Sequence, residues 1–149
     1  MLSDFLKKDY ITVRAEVSDW RGAVEISGEK LVSHRVIEAR YIQGMISAVE
    51  KLGPYIAIAP GIAIAHARPE DGVISHGIAV TTLTKAVNFG HEENDPIRVI
   101  VTLAASDHDS HIDAMGDLMD VLEKRLDDIT AAETPDAVYA VFFPEYKHG

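Results

Sequence analysis

The sequence predicts a single α/β domain in which helices pack on one central sheet. Three observations lead there. Short runs rich in Val, Ile and Thr are bounded by Gly and Pro. Between them lie stretches with apolar residues at helical spacing. With 149 residues, 47% of them hydrophobic, the chain can bury one core without metal or disulfide staples.

Taken in order, Ile11-Thr12-Val13 predicts a short strand. A helix follows over 19–34, with Ser18 or Asp19 as its cap and Trp20, Val24, Ile26, Leu31 and Val32 as its apolar positions. In a second helix over 38–52, Tyr41, Ile42, Met45, Val49 and Leu52 recur at helical spacing and Gly53-Pro54 ends the run. Residues 55–59, flanked by prolines, read as a buried strand, and 62–65 as a second apolar run after Pro60-Gly61. Strands are predicted over 78–83 and 97–103, then a helix over 111–126. A closing helix covers 134–142, with Pro135 in its first turn.

Composition excludes whole classes of function. A formal net charge of −10 argues against non-specific nucleic-acid binding, which needs clustered Lys and Arg; it leaves room for a basic protein partner or a local anion pocket. The absence of cysteine removes disulfides, a cysteine nucleophile and thiolate metal sites, and fits a reducing cytosol. The N-terminal stretch MLSDFLKKDYITV lacks a signal-peptide pattern, and no run approaches the ~18 apolar residues of a membrane span. A cytoplasmic location is therefore expected. There is no repeat, low-complexity tract, GxxxxGK[ST] or GxGxxG, so no nucleotide cofactor is implied.

Two loci carry chemistry. His66 lies at the exit of the 62–65 run, on a loop held by Pro60-Gly61 and Pro69. Ala63, Ala65 and Ala67 leave space around its ring, and Arg68, two residues on, suits an anion such as phosphate. The pattern suggests a histidine that meets a phosphoryl group; an ordinary loop histidine is the alternative. The second locus is Ala105-Ser-Asp-His-Asp-Ser-His111. Ser110-x-x-Asp113 has the form of a capping box, which would put His111 at the first helical position, above Met115, Leu118 and Leu122. Open backbone N–H groups there favour an anion. Both loci follow predicted strands, so one rim of the sheet is expected to hold both.

His108-x-x-His111 with Asp107, Asp109 and Asp113 admits a metal site and hence a metal-dependent hydrolase, but it lacks the HExxH pattern. Acidic residues at a helix start are more simply caps, so no metal is assigned. The stretch 91–96 reads as a solvated turn, with a rim contact to a basic partner as its functional alternative. His34, His76 and His148 receive no role.

Beyond these readings, the chain resembles the enzyme IIA proteins of the sugar phosphotransferase system, in their mannitol/fructose class and most closely its ascorbate-type branch. The resemblance rests on Tyr41-Ile42-x-x-Met45, Gly53-Pro54-Tyr55, Ala59-Pro60-Gly61-Ile62-Ala63, His66-Ala67-Arg68-Pro69 with Gly72-Val73, Phe89-x-His91 with Asn94-Asp95-Pro96, and His111-Ile112. It implies one EIIA domain over 1–149, with a mixed sheet flanked by helices. It also implies a phosphocarrier in which His66 takes a phosphoryl group from HPr and passes it to a cysteine of enzyme IIB, serving a membrane IIC permease. His111 would orient or stabilise that group, with Arg68 and Ser110 as phosphate ligands and no cofactor. Many members have proline where this chain has Ala65, and mannitol-type members have arginine where it has Ala48. The first departure implies a less rigid loop, and the second points away from mannitol or fructose. A regulatory phosphohistidine module is the alternative function, and a homo-oligomer is left open.

Overall fold

A computed structural model describes residues 2–145; His148 lies outside them. Five strands form one sheet: β1 Leu6–Ala15, β2 Ala57–Ala59, β3 Ile62–Ala65, β4 Gly77–Val87 and β5 Ile97–Ala104. Their order is β1-β4-β5-β3-β2. The sheet is mixed, as the resemblance implies: β1 with β4 and β3 with β5 run parallel, whereas β4 with β5 and β2 with β3 run antiparallel.

Alternating side chains bury both faces of this sheet. Ala63, Ala65, Ala79, Ile97, Ile100 and Ala104 face α1 (Trp20–Ser33) and α2 (Ala39–Leu52). Ile62, Ile64, Val80, Val99, Val101 and Leu103 face α3 (His108–Ala131) and α4 (Pro135–Phe142). The result is a three-layer α/β/α sandwich, in which each buried Ile, Leu or Val contributes roughly 1.5–3 kcal/mol of transfer free energy.

Local chemistry sets the element ends. Asp19 caps α1 by accepting the Gly22 N–H at 2.8 Å. At the far end of α2, Gly53 adopts φ 87°, a left-handed conformation that suits glycine, and its N–H reaches the Val49 carbonyl. Thr134 caps α4 ahead of Pro135. The 91–96 stretch is a turn, tied more tightly than a merely solvated one. The Asp95 carboxylate accepts the N–H groups of Phe89, Gly90 and His91, and Asn94 donates to the Ala57 carbonyl.

Three expectations change. The strand foreseen over 11–13 extends to Leu6–Ala15, because it runs along the sheet edge and exposes Lys7, Lys8 and Asp9, which read as loop. The buried strand foreseen over 55–59 is the three-residue edge strand β2; Tyr55 sits in a turn before it, and both Tyr55 and Ile58 are exposed. Finally, α3 begins at His108, three residues earlier than foreseen, and runs through a kink at Arg125 to Ala131.

Candidate functional site

Because β3 and β5 are parallel neighbours, with Ala65 opposite Thr102, their C-terminal ends leave the sheet at the same edge. His66 follows β3 directly. From β5 the chain turns through Ala105-Ser106-Asp107 into α3, whose second turn carries His111. The two imidazole rings lie 5.0 Å apart between centroids, inclined by 64°. Tyr55 stands edge-on to His66, at 5.7 Å and 88°. Sequence placed both histidines on one rim; the pairing of β3 with β5 is what brings them into contact.

The His66 ring has one nitrogen assigned by geometry. Nδ1 lies 3.4 Å from the Ile64 carbonyl oxygen, which can only accept, so Nδ1 carries the proton and Nε2 keeps its lone pair. Burial lowers the pKa of His66 below the ordinary 6.5, His111 lowers it further, and the bond to Ile64 partly opposes them. His111 is also lowered, by burial first and by His108 second. Both rings are therefore neutral at pH 7, the state a histidine nucleophile and a neutral hydrogen-bond donor require.

The proposed anion ligands are engaged elsewhere. Arg68 bonds Asp71 through Nη2 at 3.1 Å and Nε at 3.3 Å, and Glu70 lies 3.5 Å away. These contacts raise the Arg68 pKa, and the hydrogen bond from Arg68 holds Asp71 below the usual carboxylate range. The capping box expected from Ser110 is absent: Asp107 is the N-cap, accepting the Ser110 N–H at 2.8 Å and the Ser110 hydroxyl at 3.0 Å. Two candidate caps three residues apart look alike in sequence, and the aspartate wins with a second bond. His111 consequently lies one turn inside the helix, its N–H bonded to the Asp107 carbonyl.

Two cavities flank Ala67. One, about 540 Å³, lies between α2 and the His66 loop and is lined by Ala48, Lys51, Leu52, Tyr55, His66 and Arg68, among others. The second, about 280 Å³, is lined by Ala67, Pro69, Ala105, Asp107, His108 and His111. Gly44 of α2 faces this loop: a Cβ there would make ordinary contact with the Cβ atoms of Asp71 at 3.4 Å and Ala67 at 3.5 Å. Ala48 leaves Lys51 and Arg68 as the basic side chains of the larger cavity. Sequence gives no sign of Lys51, because a lysine in the last turn of a helix reads as solvated. Exposed Leu52 and Tyr55 line the larger cavity, and exposed Ile112 directly follows His111 in α3. Among the described residues, no group of three or more His, Cys, Asp or Glu side chains converges as a metal site.

Comparison with known proteins identifies the family and the fold. The family model described as "Phosphoenolpyruvate-dependent sugar phosphotransferase system, EIIA 2" matches residues 4–143. An ascorbate-specific PTS system EIIA component of Shigella boydii is 46% identical over 101 residues, 68% of this chain and 66% of the relative, just under two thirds of its length. Among solved structures, the mannitol-specific cryptic phosphotransferase enzyme IIA CmtB of Escherichia coli superposes with a TM-score of 0.84 at 34% identity, covering 95% of this chain and 97% of that one. IIA mannitol of Escherichia coli gives 0.80 at 26%, covering 91% and 97%. The chain belongs to the EIIA 2 family of the phosphoenolpyruvate-dependent sugar phosphotransferase system.

Proposed function

We propose that the chain is a cytoplasmic phosphocarrier in which His66 Nε2 takes a phosphoryl group from phospho-HPr and delivers it to a cysteine of enzyme IIB. The observation that carries this is the neutral His66 ring, fixed through Nδ1 and packed at 5.0 Å against His111. In the first step the Nε2 lone pair forms the new N–P bond while the N–P bond on HPr breaks and its imidazole regains the electron pair. In the second, a thiolate of IIB attacks phosphorus and the bond to Nε2 breaks. Both steps need positioning and modest charge stabilisation, with no strong acid. The exposed apolar side chains Leu52, Tyr55 and Ile112 suit the surface of a protein partner.

His111 orients or stabilises the transferring group through a ring N–H. Arg68 reaches it by exchanging Asp71 for phosphoryl oxygens, and Ser110 by turning its hydroxyl away from Asp107. Ascorbate is the proposed sugar, supported by the name of the 46%-identical relative and by Ala48. Among the described residues no helix is long and apolar enough to cross a membrane, which is compatible with a cytoplasmic carrier serving a separate IIC permease.

The test is incubation with phosphoenolpyruvate, enzyme I and HPr followed by intact mass. One phosphoryl adduct is expected on the native chain and none on His66→Ala. An unlabelled native chain overturns the proposal. Transfer to the IIB of an ascorbate system, and not to that of a mannitol system, supports the sugar; the reverse preference overturns it.

A further inference from the structure

Tyr41 is fully buried in the first turn of α2, with 1% of its surface exposed. Its hydroxyl joins two segments that no strand ladder joins. The Ala67 N–H donates to it at 2.9 Å, and it lies 2.8 Å from the Leu103 carbonyl oxygen and 3.2 Å from that of Ala67. A hydroxyl has one proton, and the shorter contact gives it to Leu103. Ala67 directly follows His66, and Leu103 lies near the end of β5, before the turn into α3. The β3–β5 register ends at Ala65 opposite Thr102, so the phenol oxygen continues the tie between these backbones where the ladder stops.

Filling the core does not require this hydroxyl. A phenylalanine would occupy nearly the same volume, and a buried hydroxyl is unfavourable unless bonded on both sides. Burial pushes the Tyr41 pKa up to about 12, so the group remains a neutral donor throughout the physiological range.

We propose that Tyr41 is a positioning residue for phosphoryl transfer: its hydroxyl holds the peptide after His66 against the end of β5, and thereby keeps the His66 ring seated against His111. The inference rests on His66 being the phosphoryl acceptor. Misplacement of reacting groups by about 1 Å can cost ~100-fold in rate.

Tyr41→Phe tests it, assayed with phosphoenolpyruvate, enzyme I and increasing HPr. The maximal labelling rate is expected to fall ~10- to 100-fold, with the half-saturating HPr concentration unchanged, since no partner contact is removed. In ¹⁵N-histidine NMR spectra, the His66 titration midpoint should move up toward the ordinary value as water reaches a loosened ring. A purely structural tyrosine would lower the melting temperature and leave rate and midpoint alone. An equally fast, folded Tyr41→Phe beside a labelled native chain overturns the positioning role alone; an unlabelled native chain overturns the acceptor reading of His66 as well. Independently of whether the variant folds, native hydrogen exchange should show the Ala67 amide protected. Exchange at the rate of an open loop removes the tie.

Discussion

Burial and the neighbouring His111 hold the charge of His66 down, whereas burial and His108 do so for His111. Between the ordinary histidine value of 6.5 and the lower folded value of His66, the unfolded chain binds a proton that the folded chain refuses. The stability contributed by neutral His66 is thus full above pH 6.5 and declines as pH falls through the folded value. NMR titration is expected to place the His66 midpoint below 6.5. His111→Ala should raise it, by removing a neighbouring positive charge and uncovering the ring; an unchanged midpoint would show that the two rings are electrostatically independent. His66 and Arg68 are visible in sequence because type and spacing carry their chemistry. The Tyr41 hydroxyl is not, since a tyrosine at helical spacing among Ile42 and Met45 reads as core, and its partners are main-chain atoms 26 and 62 residues away.

At the scale of elements, small residues decide how closely the layers approach. Gly28 of α1 faces Ile42 of α2, and an added Cβ would lie 2.7 Å from Ile42 Cγ1 and 3.0 Å from Cδ1. Alanine in an open helix would gain up to about 1 kcal/mol over glycine. Here Ile42 is held in the core with 7% exposure, and overpacking costs about 1–3 kcal/mol, so the clash prevails. Gly28→Ala is expected to lower the stability measured by denaturant titration by about 1–2 kcal/mol; a stabilised variant would refute this packing account. The elements easiest to foresee, β3, β5 and α4, are those that are mostly apolar or clearly capped. Those misjudged are amphipathic or edge elements: β1 with its exposed lysines, β2 with its exposed Ile58, and α3 with its competing caps. Strand pairing, which local pattern does not encode, sets the lengths of β1 and β2, and the choice between two local caps sets the start of α3.

For the whole molecule, one sheet buried on both faces should make the two helical layers melt together. Leu122 of α3 is fully buried on one side, whereas Trp20, the chain's one tryptophan, packs against the other layer. Leu122→Ala is expected to cost about 2–5 kcal/mol. Trp20 fluorescence, read from the opposite face, should report the same loss as far-UV circular dichroism. Two separated transitions would show layers that unfold independently. The α/β class was legible because alternation of strand and helix dictates it. The strand order was not: adjacency of β3 and β5 arises only when β2 turns back at Pro60-Gly61 and leaves β3 between it and β5.

The order of the sheet also bears on solubility. The segment Ile97–Ala104, IRVIVTLA, has the β-branched, weakly charged character that stacks readily into aggregates when released. In the native fold it is enclosed between β4 and β3. The outer margins give little purchase to another chain: β2 offers three residues, and β1 carries exposed Lys7 and Lys8, the latter paired with Asp136 of α4. Aggregation of this protein should therefore follow its unfolding and scarcely begin from the native state.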